Sequence, residues 1–274
     1  MNLKSIIKIL GFFILFLPVA NAAEVTVTKG FADEDAAVAF LSSFSGEEGK
    51  KLLASIRFKH AAKIYKLSEE LKLTAEKKHR YKNLALDYVM SAYSLDPTST
   101  KIQSLTAAML VKRGDKASLA TAQDLYEMLY NNDKSNTNLL LLAAVYQMRE
   151  LFYKAIPLYE SLFNNDAEFF NNDVVLLLNQ SYLLDAQFER GIRFFSQMSE
   201  RMPWLDSAVL AKVILQKTSG NNVGALITLE ILAKQRRPNT PIRKYIDEQI
   251  LTLQALSVDE QPALPLLTSG AADE

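Results

Sequence analysis

Two histidines, His60 and His79, are the only imidazoles in this chain of 274 residues, and both sit among lysines. A metal site would need further imidazole or carboxylate ligands at set spacings. None recurs near either ring, so both read as solvated surface histidines. Paired carboxylates occur at Glu47-Glu48 and Glu69-Glu70, in charged stretches where they read as wet helix faces and not as an acid–base pair. Asn131-Asn132-Asp133, Asn164-Asn165-Asp166 and Asn171-Asn172-Asp173 are rich in oxygen ligands but lack the spacing of a calcium loop. Asn and Asp are also favoured at helix ends, where their side chains cap backbone groups, and capping is the reading adopted. There is no cysteine, no GxSxG, no HExxH and no phosphate-cradling glycine loop. No catalytic residue, metal or cofactor is therefore assigned, and the chain is expected not to be an enzyme.

With little chemistry in single residues, the information lies in their repetition. Ala122, Leu125, Tyr126, Glu127, Leu129, Asn131, Asn132 and Asp133 recur 33 residues later as Ala155, Leu158, Tyr159, Glu160, Leu162, Asn164, Asn165 and Asp166. Tyr146, Phe152 and Tyr159 recur 36 residues later as Tyr182, Phe188 and Phe195. Within each period the apolar residues follow helical spacing, and Pro or Gly/Asn/Asp clusters mark most of the breaks.

Five helix pairs are predicted. The first joins a long helix over Leu53–Leu73 to one over Leu84–Leu95, stopped by Asp96-Pro97. The second joins 102–111 to 119–130 through the turn Lys112–Lys116, the third 139–148 to 152–163, the fourth 174–184 to 188–198, and the fifth 205–216 to 223–234. This places a repeat array over 47–236, followed by a capping helix within 237–256 and a disordered tail over 257–274 rich in Pro, small residues and acids. Before the array, 23–46 reads as a short arm and a capping helix opening at Asp33.

A small residue recurs early in each second helix, at Ala85, Ala122, Ala155, Gly191 and Ala225. Two helices can cross closely only where such a residue sits, and the aromatic four positions later, Tyr159 or Phe195, fills the space beyond. Tyr146 and Tyr182 on the first helices complete the packing set. With its period near 34, the pattern resembles the tetratricopeptide repeat: Leu142, Ala143, Tyr146, Ala155 and Tyr159 in one unit, and Leu178, Asn179, Tyr182, Gly191, Phe195 and Pro203 in the next. No unit has the early Trp of that family, and the single Trp204 follows Pro203 in a linker. The resemblance implies an all-α fold, a right-handed α-α superhelix of about five helix pairs with capping helices at both ends. It further implies that first helices line a concave groove that holds peptides. Carried over by position, the groove is Leu140, Ala144, Gln147 and Met148 in the third unit, with Leu176, Gln180, Leu183 and Leu184 in the fourth. Such a groove is aliphatic and amide-lined. The alternative is that these leucines are buried on all sides by neighbouring helices.

The first 22 residues differ from the rest. Lys4 and Lys8 precede an apolar run over 9–19, and Ala20-Asn21-Ala22 is a small-x-small site, so 1–22 reads as a signal peptide cut after Ala22. The run is too short, and too interrupted by Pro18, for a spanning helix of about 20 residues. No later stretch is long enough to span. Lys+Arg and Asp+Glu are both 31, which gives nucleic acid no purchase. The expectation is a periplasmic scaffold or assembly factor that binds a protein or peptide partner in the cell envelope. A glycan- or peptidoglycan-associated module and a self-associating structural protein, hence a homo-oligomer, are the alternatives.

Overall fold

The computed structural model describes residues 46–70 and 72–259. The expected signal peptide, the arm and capping helix up to residue 45, and the tail from residue 260 lie outside the described residues. Among those described there are eleven α-helices and no strand: α1 (Glu47–Glu70), α2 (Ala75–Leu95), α3 (Thr100–Arg113), α4 (Lys116–Asn132), α5 (Asn136–Met148), α6 (Phe152–Asn165), α7 (Asn172–Leu184), α8 (Phe188–Arg201), α9 (Asp206–Thr218), α10 (Asn222–Gln235) and α11 (Pro241–Asp259). All five expected pairs are present, as α1/α2 through α9/α10. The final helix runs three residues into the stretch read as tail. The array divides into two compact units, one ending at Asp166 and the other starting at Ala167. In each, every helix packs on the next in sequence, and in the second unit α7 also packs on α9.

The largest boundary difference is at α2, which opens at Ala75 instead of Leu84. Its first nine residues carry no apolar stripe. They are held by the Thr74 cap, whose hydroxyl accepts from Lys77 N at 3.4 Å, and by Lys78 and Lys82, which reach back to Glu69 on α1 at 3.2 and 2.7 Å. Elsewhere the starts are capped as helix ends require. Asp115 accepts from Ser118 N at 3.0 Å, Ser135 from Asn138 N at 3.4 Å, Asn171 from Asp173 N and Val174 N at 2.9 and 3.0 Å, and Asn221 from Gly224 N at 2.8 Å. At the two earlier Asn/Asp clusters the bonding differs. Asp133 and Asp166 close α4 and α6 with their backbone N–H groups, and the Asp133 carboxylate accepts from Asn138.

The turn inside each of the last four pairs contains one residue in the left-handed region: Gly114, Glu150, Ala186 and Gly220, with φ between 53° and 83°. In the last three the closure is of the Schellman type, since Leu151, Gln187 and Asn221 N–H groups donate to Tyr146, Tyr182 and Gln216 carbonyls at 2.8–3.0 Å. The fold thus imposes the same turn on glycine and non-glycine residues alike.

The core of each pair forms where the second helix presents its small residue. Ala85, Ala122, Ala155 and Ala225 are fully buried, and Tyr126, Tyr159 and Phe195 are enclosed four residues after their small positions. At Gly191 there is not room for a methyl group: an added Cβ would lie 2.5 Å from Leu215 Cδ1 and 2.9 Å from the Tyr182 ring. Tyr182, Phe194 and Phe195 pack tilted and edge-on, with centroids 5.8–6.3 Å apart, in the favourable aromatic arrangement. α9, α10 and α11 share a further core of Val213, Ala225, Leu229, Leu232, Ile246 and Leu253.

Two substitutions of opposite sign follow. Gly191→Ala, which elsewhere in a helix would stabilise, should here destabilise by about 1–3 kcal/mol through overpacking. Ala186→Gly should stabilise by about 1 kcal/mol by relieving a left-handed alanine. Urea unfolding of both variants checks them, and equal midpoints would contradict the packing account.

Candidate functional site

The expected groove is built differently in the two units. α5 is apolar from end to end, and everything from Leu139 to Gln147 is buried. Leu140, Ala144 and Gln147 therefore present no surface to a partner, and Met148 is half-buried. For these three residues the groove assignment is corrected: the helix is covered all round, so repeat position alone does not make an open face. Gln147, one of the amides of the expected groove, accepts a hydrogen bond from the buried Tyr159 hydroxyl at 2.9 Å.

Tyr146 likewise does more than pack. Its hydroxyl donates to Glu127 Oε1 at 2.7 Å, Gln123 donates to the same oxygen at 2.6 Å, and Arg149 donates to Gln123. The Lys154 ammonium lies 5.3 Å over the Tyr146 ring. Burial, reinforced by the Glu127 carboxylate, pushes the Tyr146 phenol well above its ordinary range, so it stays a neutral donor. This network closes the first unit's polar seam between α4 and α5.

The second unit keeps its stripe open. α8 packs against both α7 and α9, which leaves one face of the α7/α9 layer turned away from it. On that face α7 presents Leu176 and Leu184, 43% and 57% exposed, with Gln180 and Leu183 half-buried between them. These lie four, three and one residues apart, a single helical stripe. On α9 the residues 34 positions later are Leu210, half-buried, Ile214, 38% exposed, and Lys217 and Thr218 at the polar end. Two neighbouring helices thus expose aliphatic side chains in matching register, with one amide among them. The outer positions of α8, by contrast, are Glu189, Arg193, Gln197 and Glu200. A stripe of this kind suits an apolar segment of another chain, which buries leucine and uses the amide to fix register. α9 was not part of the expected groove. The signal was present, since Leu210 and Ile214 repeat Leu176 and Gln180 at the 34-residue period.

Of the carboxylates set aside earlier, Glu69 anchors a charged cluster. Glu69 accepts from Lys78 and Lys82, while Lys112 lies 4.6 Å over the Tyr65 ring and donates to its hydroxyl. Burial raises the Glu69 carboxyl, but the two lysines outweigh it and hold the group below its ordinary value. Burial pushes Lys112 down and the Tyr65 phenol up. Three lysines gather round one carboxylate and one phenol, and their contacts brace α1, α2 and α3 together. His79 is exposed and bonded to Asn83 at 3.0 Å. His60 differs from expectation: it is half-buried and rests against the Tyr88 ring with centroids 6.1 Å apart. Among the described residues no three His, Asp or Glu side chains are grouped to hold a metal, and no helix is long and apolar enough to cross a membrane.

No family model matches the sequence, and no curated protein matches it. Among solved structures, the crystal structure of YrrB, described as a TPR protein with an unusual peptide-binding site, is similar at a TM-score of 0.44 and 16% identity, over 69% of this chain and 99% of that one.

The buried network and the brace make separable predictions. Tyr159→Phe removes one enclosed hydrogen bond and should cost about 1–2 kcal/mol in denaturant unfolding without loss of helix. Glu69→Gln should cost up to about 1 kcal/mol near neutrality, because Glu69 and both lysines are each more than a third exposed to screening solvent. Since the folded-state carboxyl is depressed, that penalty is present above the unfolded value and should shrink as pH falls below about 4. A penalty that stays constant with pH would show that the carboxylate charge is not what Lys78 and Lys82 hold.

Proposed function

We propose that this chain is an exported, non-catalytic scaffold of the bacterial cell envelope, and that the open α7/α9 face of its second unit binds an aliphatic segment of a partner protein. The observation that carries the binding reading is the exposed set Leu176, Leu184 and Ile214 on adjacent helices, with Ile214 at the repeat position of Gln180 between the two leucines, beside a helix whose own outer positions are polar. Export, and with it periplasmic residence, is supported by the residues of 1–22. A glycan ligand is less well served, because sugar sites favour aromatic rings and carboxylates and this face offers neither.

Panning a random peptide library on the full chain should enrich segments with aliphatic residues at alternate or helical spacing. Leu176→Glu with Leu184→Glu should weaken the selected peptides by more than tenfold, or about 1.4 kcal/mol, while Arg193→Glu on α8 leaves them unchanged. Retained circular dichroism keeps misfolding out of the comparison. If nothing enriches, or the double variant binds equally, the face is not a peptide site. Separately, mass spectrometry of the periplasmic protein should find a chain beginning at Ala23, and recovery of intact 1–22 in the membrane fraction would refute cleavage.

A further inference from the structure

The charges of this chain balance overall, but they are not evenly spread. Between Lys63 and Lys82 seven lysines and arginines stand against three glutamates, in a protein whose full count is 31 of each sign. These residues are the end of α1 and the start of α2, and they reach past the helix packed beside them. α3 lies alongside α1, with Ile102 sharing a core with Ala54 at one end and Lys112 bonded to Tyr65 at the other. α3 stops one residue later, at Arg113, whereas α1 runs on to Glu70 and α2 returns from Ala75. At about 1.5 Å per residue, α1 overshoots its neighbour by about 6 Å, one further turn of helix. The start of α2 is held by Lys78 and Lys82 on Glu69, and α2 buries no residue before Ala85.

This projecting tip is amphipathic. On the flank turned away from Glu69, Arg57 donates to Ser91 and His60 rests against the Tyr88 ring. Continuing by helical steps of three and four, forward along α1 and back along α2, brings Ile64 level with Leu84 and Leu67 level with Tyr81. Leu67, Tyr81 and Leu84 are 37%, 38% and 43% exposed. Their helical neighbours Lys63, Lys66, Lys77 and Arg80 are exposed as well. Of the nearby acids, Glu70 pairs with Lys66 at 3.6 Å, and Glu76 opens the first turn of α2.

We propose that this tip docks on an anionic bilayer surface, with Leu67, Tyr81 and Leu84 among the headgroups and the surrounding cations on the lipid phosphates. Charge complementarity calls for an anion, and three features select a bilayer over an acidic protein segment. Six of the seven cations are lysine, a compact point charge that suits a diffuse sheet of phosphates, whereas arginine forks suit a single carboxylate. Apolar side chains stand among the cations: a tyrosine at such a boundary buries its ring and keeps its hydroxyl wet, and lysine stems lie along the same surface. Finally, the surface is a projecting end and not a groove, so it meets a plane without enclosing a chain.

The chain has no cysteine, so one introduced by substitution carries the only label. Leu67→Cys bearing an environment-sensitive dye, in the full chain, should brighten and shift to the blue with vesicles of phosphatidylglycerol and phosphatidylcholine in equal parts. Phosphatidylcholine alone should leave it unchanged. Salt at about 1 M, where screening reaches only about 3 Å, should abolish the response. The same dye at Ile227→Cys on α10 should not respond. Adding Lys77→Glu with Arg80→Glu should weaken the Leu67 response about tenfold, whereas Arg193→Glu with Lys234→Glu, an equal change in net charge, should not. Acidic residues near the start of a helix favour it, so the reversal in α2 keeps the fold, and circular dichroism checks this. An equal loss in both double variants would overturn the proposal, since total charge and not the tip would then draw the vesicles. A dye that ignores both kinds of vesicle, or answers both alike, would also overturn it. A shift produced by polyglutamate in solution and by no vesicle would replace the bilayer with an acidic protein segment.

Discussion

How closely two helices may cross is set by the smallest side chain at the crossing, and in this protein that limit organises everything else. Where the second helix of a pair carries alanine, the backbones approach until its methyl group is enclosed, as at Ala85, Ala122, Ala155 and Ala225. Gly191 tightens the limit further, because the Tyr182 ring and Leu215 occupy the volume a methyl group would need. The approach then dictates where a large ring can go. Tyr126, Tyr159 and Phe195, one turn after the small residue, fill the space where the helices diverge, and burial there raises the phenols of Tyr126 and Tyr159 far above their ordinary range. Tyr159 is still satisfied by Gln147, so the ring adds a hydrogen bond across its pair to the area it buries.

The same constraint explains the turns. With both helices of a pair held at a set crossing, the chain has a fixed distance in which to reverse. It does so with one left-handed residue at the end of the first helix in each of the last four pairs. Glycine takes that conformation without strain at Gly114 and Gly220, whereas Glu150 and Ala186 adopt it at a cost of about 1–2 kcal/mol that the packing of the pair must offset. A turn of this kind is dictated by the helices on either side of it more than by the residue within it.

That balance also decides what could be read from residue types. The five pairs were legible because small and aromatic residues are distinctive and recur at a nearly constant interval. The early start of α2 was not, because its first two turns contact α1 through lysine and glutamate, which carry no helical hydrophobic period. The left-handed residues at 150 and 186 left no trace, since Glu and Ala do not announce positive φ. Position in a repeat was a poor guide to exposure: Leu140, Ala144 and Gln147 hold the same places as Leu176, Gln180 and Leu183, yet the first three are buried and the others are open or half-open. The warning was in α5 itself, whose run Leu139–Val145 has no polar face to turn outward. α7 has Asn179 and Gln180 within an equally apolar run, and one of these is buried and the other not, so polarity alone could not have separated the two helices either.

What separates a surface meant for water from one meant for a partner is then a comparison within the chain. An exposed leucine means little alone, because more than half of any protein's accessible surface is apolar. The equivalent outer positions of α8 and α10, however, are exposed alike, so one helix serves as a control for the other. By that measure α8 shows a polar outer face of this fold: Glu189, Arg193, Gln197 and Glu200 outside, Phe194, Phe195 and Met198 inside. α10 buries Ala225, Leu229 and Leu232 at the places of Gly191, Phe195 and Met198, and has a different outside. Neither the crossing constraint nor the turn geometry distinguishes Val223 from Glu189, Ile227 from Arg193 or Ile231 from Gln197. The difference is independent of the packing that built the helix.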